Sequence, residues 1–235
     1  PLWYYVQVPA DLLSTGSFLR AHGVPVACHD LSAGFLASLL GDEPGWRALR
    51  KEATYRDPAA YQAADAGVRA ALQRLPMAPG VHFSFRELRF RDIDEGDVPA
   101  ALAAGLSSRN HALPYLRAQV PRILDNDPAL IAVALGHPDQ LVQLLVLGRL
   151  LRQAGYRGWL VLYGSHEDVV TPEDLIEDLI EQSPGEPRHL LFDDYDAVIA
   201  GEAESALLAL WQARQAGPQA PPRPPPLPGV YTPGA

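Results

Sequence analysis

A strand–helix–strand pattern in the middle of the chain constrains the fold more than any other feature. Residues 130–135 read "LIAVAL", a continuous apolar run as expected for a parallel strand covered on both faces. From Leu141 apolar residues recur at helical spacing, the chain turns near Gly155, and residues 159–163, "WLVLY", form a second apolar run. Two such runs joined by an amphipathic helix predict a parallel strand pair with a right-handed crossover.

Similar elements flank this pattern. Residues 2–8 are aromatic and β-branched enough for a strand, and "DLLSTGSFLRAHG" predicts a helix that ends at Gly23. A short apolar run then ends at Asp30. Thr171 followed by proline and two acidic residues is typical of a helix start, "YDAVIA" predicts the last strand and "EAESALLALWQA" the last helix. The alternation predicts an α/β fold, a parallel sheet with helices on both faces.

Composition divides the chain into three parts. Residues 41–107 carry turn-rich pieces such as "GDEPG" and lack strand–helix alternation, so they are interpreted as a mostly helical insertion. The α/β domain then comprises residues 1–40 and 108–212. Residues 213–235 are so rich in proline that we expect an extended polyproline segment, either an interdomain linker or a ligand of the SH3 type.

Charge and cysteine content exclude several functions. A net charge of −9 argues against nucleic acid or an anionic membrane surface as the main partner, since both require a basic face. Cys28 is the only cysteine, so this chain cannot supply a disulfide or a multi-cysteine metal site by itself, which suits a reducing cytoplasm. No apolar stretch is long enough to cross a bilayer. Small molecules and proteins remain as partners.

Ligands of open parallel sheets bind beyond the carboxyl ends of the strands. Four turns follow the predicted strands, and we expect them to gather at one edge: "HDLS" at 29–32, "GHPDQ" at 136–140, "YGSHED" at 163–168 and "GEAES" at 201–205. The three histidines in these turns are interpreted as solvated loop residues rather than metal ligands. A G-x-G-x-x-G turn after the first strand is absent, which disfavours a dinucleotide-binding oxidoreductase.

Asp30, the "HPDQ" turn, the helix ending in "LLRQAGYRGWLVLYG" and, most specifically, "DAVIAGEAE" resemble the cobalamin (B12)-binding N-terminal domain of B12-dependent radical SAM enzymes. The resemblance covers residues 1–40 and about 108–212. It implies a flavodoxin-like (Rossmann-like) fold that holds cobalamin, with the corrin on the strand ends and the nucleotide tail inserted beside the sheet. Small residues at strand ends would let this bulky ligand approach the backbone.

The same resemblance implies a set of cofactor-binding residues. They are Asp30, Leu31, Gly136, His137, Pro138, Asp139, Gln140, Tyr163, Gly164, Ser165, Gly201 and Glu202. Two positions depart from the family pattern: Ala134 stands where the family often has serine, and Tyr163–Gly164 where it has Gly-Gly. If Tyr163 fills the nucleotide slot, the alternative is a degenerate module of the same fold that binds no cobalamin and docks a catalytic partner.

The resemblance also implies methyl transfer or related radical chemistry. That reaction needs S-adenosylmethionine and a [4Fe-4S] cluster held by three cysteines, and one cysteine cannot hold it. This chain therefore cannot catalyse the reaction alone. We expect a radical SAM catalytic domain downstream, joined by the proline-rich tail, or on a partner chain.

Overall fold

The computed structural model describes residues 10–83, 88–93, 97–136, 140–164, 191–200, 202–215, 221 and 223–233. The chain divides into two compact units. The helical unit contains His29–Leu116, and the sheet unit contains Asp11–Cys28 together with Arg117–Ala235.

Helices outnumber strands in the described part of the chain. The helices are α1 (Ala10–Ala21), α2 (Leu31–Leu40), α3 (Pro44–Leu49), α4 (Glu52–Arg56), α5 (Pro58–Gln73), α6 (Val98–Gly105), α7 (Leu113–Leu124), α8 (Leu141–Gln153) and α9 (Ala203–Arg214). The strands are β1 (Val81–Phe83), β2 (Leu88–Phe90), β3 (Leu130–Leu135), β4 (Trp159–Gly164), β5 (Ala197–Ile199) and β6 (Val230–Tyr231).

The sheet unit is built on a four-stranded sheet of order β3-β4-β5-β6. β3 pairs with β4 and β4 with β5 in parallel, while β6 pairs with β5 antiparallel. The α/β prediction is therefore confirmed, as are the positions of β3, α8, β4, β5 and α9. Parallel pairing follows from the helical crossover between β3 and β4, which returns the chain to the same end of the sheet.

One face of this sheet packs against α1 and α9. The buried cluster on that face combines Leu19 of α1 and Leu207 of α9 with Trp159, Val161 and Tyr163 of β4. Because strand side chains alternate between faces, Leu160 and Leu162, both almost fully buried, point the other way. α8 contacts β3 and buries its apolar residues outside that cluster, so α8 covers the opposite face.

The helix ends follow the sequence rules in two places. Gly23 after α1 has φ 79° and Gly155 after α8 has φ 91°, the left-handed conformation that glycine adopts without a Cβ penalty. Their positions confirm the predicted ends of both helices.

The helical unit has its own core, centred on Leu36, Trp46, Leu49 and Val68 of α2, α3 and α5. Besides helices it contains the antiparallel hairpin β1–β2, which the sequence did not predict. α2 and the start of α7 also belong to this unit, where the Phe35 ring contacts the rings of Phe83 at 5.9 Å and Tyr115 at 5.6 Å. Its bounds are therefore wider than the 41–107 expected from composition.

The apolar run ending at Asp30 was expected to be a strand, and this expectation is wrong. Residues 24–30 have no strand pairing, and they fold back on α1 instead. The N–H of Val24 donates to Leu19 O at 3.0 Å, and the Arg20 guanidinium donates to Val26 O at 3.1 Å. Pro25, which lacks an N–H, further disfavours a place inside a sheet.

The proline-rich tail also differs from its prediction. Residues 227–231 are not a free polyproline segment: a turn at Gly229 leads into β6, and the N–H of Ala200 donates to Gly229 O at 2.9 Å. Val230 is 8% exposed. Proline is compatible with an edge strand, where one side of the backbone needs no partner, so the tail can complete the sheet. The predicted strand at 2–8 and the helix start at Thr171 lie outside the described residues.

Candidate ligand-binding edge of the sheet

The carboxyl ends of three neighbouring strands define the candidate site. Leu135 is in register with Gly164, and Tyr163 with Ile199, so the turns that follow β3, β4 and β5 start side by side. Three of the four turns expected from the sequence thus follow adjacent parallel strands. The fourth, with Asp30 and Leu31, belongs to the helical unit.

Asp30 has a local role in the helical unit. Its carboxylate accepts a hydrogen bond from the N–H of Ala33 at 2.9 Å and caps α2, whose first residue is Leu31. This satisfies one of the free N–H groups of the helix and is worth about 1 kcal/mol. The capping bond gives the Asp30 side chain a structural role that needs no ligand. The predicted contact of Asp30 with a cofactor stays a prediction.

The turn after β3 is closed by a hydrogen bond between its first residue and the side chain of its last residue. The N–H of Gly136 donates to Gln140 Oε1 at 2.9 Å, which links the end of the strand to the residue preceding α8. This bond fixes the direction in which the chain leaves the sheet. Five of the predicted site residues lie outside the described part of the chain: His137, Pro138, Asp139, Ser165 and Gly201.

Tyr163 is the residue on which the sequence-based alternatives depend. Its side chain is 3% exposed and belongs to the apolar cluster between the sheet and helices α1 and α9. It lies on β4, in register with Ala134 of β3 and one residue before the buried Gly164. The phenol therefore packs on the face of the sheet that α1 and α9 cover, next to the carboxyl end of β4.

The neighbouring strand presents much smaller side chains on the same face. Ala132 and Ala134 of β3 pack against the cluster that contains Tyr163, yet both are partly exposed. Interior sheet positions are normally filled to high packing density. The face is thus buried over β4 and partly exposed over β3, the end strand of the described sheet, whose Leu130 and Ile131 are also only partly buried.

The turn after β5 brings acidic residues to the same edge. Glu202 precedes α9 and is exposed, so its carboxylate lies at the positive end of the helix dipole. Glu204, in the first turn of α9, accepts hydrogen bonds from Ser14 and Thr15 of α1. The sequence analysis did not identify this contact, because nothing in the spacing of residues 14, 15 and 204 indicates it.

The opposite, amino end of the sheet is held by an ionic network that the sequence analysis also missed. Arg149 Nε donates to both carboxylate oxygens of Asp194, at 2.9 and 2.7 Å. Arg152 Nη2 binds Asp196 Oδ2 at 2.5 Å, and the same oxygen accepts from the N–H of Leu160 at 2.8 Å. Arg149 and Arg152 lie on the polar side of α8 and connect this helix to the start of β5.

Asp194 is 4% exposed, so its charge requires this partner. Burial raises the pKa of Asp194, and the hydrogen bonds and charge of Arg149 oppose that rise. A signal for the network was present in the sequence: two arginines three residues apart on one helix and the acidic "DDYD" segment before β5.

Tyr195 completes the attachment of β5 to α8. It is 1% exposed, and its hydroxyl donates to Leu144 O at 2.6 Å. Its ring lies against Gly148, where an added Cβ would be 2.7 Å from Tyr195 Cε2. Burial raises the pKa of Tyr195, so the phenol remains a neutral donor. Gly148 therefore serves close packing of α8 against the segment before β5.

The described residues contain neither a membrane-spanning helix nor a cluster of metal-ligating side chains. No described helix has the length and apolar character needed to cross a membrane. No group of three or more histidine, cysteine, aspartate or glutamate side chains among the described residues is placed to hold a metal ion. Comparison of the chain with protein-family models, curated proteins and solved structures finds no match.

Proposed function

We propose that the sheet unit is a cobalamin-binding domain with a flavodoxin-like fold, which presents the cofactor to a radical SAM catalytic domain in cis or in trans. The reaction served is methyl transfer or related radical chemistry. The proposal rests on the resemblance of "DAVIAGEAE" and the flanking turns to that family. It is supported by the parallel order of β3, β4 and β5, which places three of the four relevant turns in a row.

Partial exposure of small residues on β3 is the structural observation that supports the proposal. Cobalamin needs an apolar strip beside the sheet for its nucleotide tail, and Ala132 and Ala134 are small, apolar and partly exposed on the face that α1 and α9 cover. The small size and apolar character of these residues suit such a tail, which supports the proposal. Tyr163 would form the wall of the strip on the β4 side.

The edge residues would contact the corrin. Glycine has no Cβ, so Gly136, Gly164 and Gly201 would let a planar ligand approach the backbone. When bound, cobalamin would supply the methyl group or the cobalt-centred chemistry. The chain itself would bind and orient the cofactor and exclude water from its lower face.

Retention of hydroxocobalamin tests the proposal. The purified chain is mixed with the vitamin, desalted and examined by visible spectroscopy. We expect a stoichiometric chromophore with a base-off spectrum, since a tail inserted beside the sheet cannot ligate the cobalt. Ala134→Leu should abolish retention by filling the strip.

A matched control separates blocking from misfolding. Ala129→Leu places the same side chain at an exposed position just before the amino end of the same strand and should leave retention unchanged. Far-UV circular dichroism verifies that both variants fold. A wild-type chain without chromophore, or an Ala134→Leu variant that binds as well as wild type, would contradict the proposal.

A second candidate is favoured by the burial of Tyr163. At 3% exposure its side chain occupies space that the family leaves open with glycine, which supports a docking module that binds no cobalamin. Tyr163→Gly distinguishes the two. If wild type retains no vitamin and the glycine variant does, Tyr163 plugs an ancestral slot and the docking module is the correct interpretation.

A further inference from the structure

A hydrogen-bonded contact joins α1 to α9 at the carboxyl edge of the sheet. Glu204 Oε1 accepts from Ser14 Oγ at 3.3 Å and from Thr15 Oγ1 at 3.2 Å. Thr15 is 5% exposed, whereas Glu204 is partly exposed. Because β5 ends at Ile199 and α9 begins at Ala203, this contact lies beside the turns of the candidate site.

The two helices that Glu204 joins are the ones that cover the strip over β3. Leu19 of α1 and Leu207 of α9 belong to the same buried cluster as Tyr163, with Ala132 and Ala134 packed at its margin. Apolar contacts are not directional and tolerate small shifts of one helix along another. The polar contact therefore adds a directional constraint to the apolar packing of α1 against α9 at this edge.

At 3.3 and 3.2 Å the two bonds to Glu204 are longer than the about 2.7 Å that is typical of O–H···O hydrogen bonds, but their acceptor is a carboxylate, which strengthens each of them. Thr15 is nearly buried, so a loss of its acceptor would leave its hydroxyl poorly satisfied. Without Glu204, α1 would shift away from α9 so that water could take the place of the acceptor of the Thr15 hydroxyl. Glu204 thus links the two helices at this edge through hydrogen bonds to Ser14 and Thr15.

We propose that Glu204 is a positioning residue that holds α1 against α9 and so sets the width of the strip that receives the nucleotide tail. The inference rests on the proposed function of the sheet unit. Glu204 acts through Ser14 and Thr15 and need not touch the ligand. It should therefore affect ligands that carry the tail and not those that lack it.

Binding of cobalamin is compared with binding of cobinamide, which has the same corrin but no nucleotide tail. We expect Glu204→Ala to weaken cobalamin binding about tenfold and to leave cobinamide binding unchanged; tenfold corresponds to about 1.4 kcal/mol. Glu204→Gln keeps an acceptor oxygen and should restore most of the affinity. Ser205→Ala, an exposed position one residue further along α9, is the matched control.

The outcomes separate this inference from the proposed function. A wild-type chain that binds neither corrinoid would refute the proposed function and this inference with it. A wild-type chain that binds cobalamin, with Glu204→Ala weakening both corrinoids equally or neither, would refute the positioning role alone. Thr15→Val removes the donor at similar volume and should reproduce the selective loss if Glu204→Ala does not fold.

Discussion

Substitution of Gly148 by alanine tests whether α8 and β5 are packed as described. In a solvated helix interior this change stabilises a protein by about 1 kcal/mol, since glycine loses more backbone freedom on folding. At Gly148 the new Cβ would lie 2.7 Å from Cε2 and 3.1 Å from Cζ of Tyr195. The Tyr195 ring is 1% exposed and its hydroxyl is bonded to Leu144 O, so it has little freedom to move aside.

The magnitude follows from two opposing contributions. Overpacking a buried site costs about 1–3 kcal/mol. Subtracting the helix-propensity gain of about 1 kcal/mol leaves a net destabilisation of about 0–2 kcal/mol, with about 1 kcal/mol as the central value. For a chain of this size, that lowers the melting temperature by about 2–4 °C.

Gly67→Ala is the matched control. Gly67 also lies inside a helix, α5, but an added Cβ there has no neighbour closer than 3.7 Å. We therefore expect it to raise the free energy of unfolding by about 1 kcal/mol, opposite in sign to Gly148→Ala. Urea unfolding followed by circular dichroism measures both, with hydrogen exchange assigning each effect to its unit. Stabilisation of both variants by similar amounts would refute the packing of Tyr195 against Gly148.

Two further predictions concern the tail and the helical unit. Val230→Asp places a charge at an 8% exposed position and should detach β6, which would speed hydrogen exchange of the Ala200 amide. Tyr231→Asp places the same charge at a 40% exposed position and should leave that exchange unchanged. Equal exchange in both variants would contradict the docking of the tail. In the helical unit, a hydrogen bond from Arg109 holds the pKa of Asp92 below its ordinary value of 3.8. A carboxyl whose pKa is lowered in the folded state contributes stability above the ordinary pKa, and this stability is lost as pH falls. Asp92→Asn should therefore reduce the loss of unfolding free energy between about pH 5 and pH 2 in a series of urea unfolding curves. An unchanged loss would argue against the Asp92–Arg109 interaction.

The sequence predicted those elements whose signal is local. β3, α8, β4 and α9 follow from apolar periodicity and from glycine at helix ends, both of which can be seen within one segment. β6 was not predicted because proline composition indicates an extended chain but not what that chain pairs with. The run at 24–30 looked like a strand because its apolar residues are the same ones that pack against α1.

Individual side-chain partners across long separations could not be paired from the sequence, even where charged segments indicated a network. Arg149 and Asp194 are 45 residues apart, and Thr15 and Glu204 are 189 apart. Each residue alone is typical of a solvated helix surface or a helix start. Only the sheet order brings them together, so the site could be located at an edge but its internal contacts could not be assigned.

The two ends of the sheet unit are built differently, and the difference supports a ligand at the carboxyl edge. At the amino end, Asp194 and Tyr195 are almost fully buried and bonded to α8, so β5 is rigidly fixed. At the carboxyl edge β3 is followed by Gly136, β4 ends at Gly164, the partly exposed Ala134 lies beside them, and one carboxylate, Glu204, joins the covering helices. Strands that lead into small residues would be a suitable platform for a large planar ligand, because such residues leave space for it at the strand ends. Tyr163 is the exception to this pattern, which is why its replacement by glycine distinguishes a working cofactor site from a docking module.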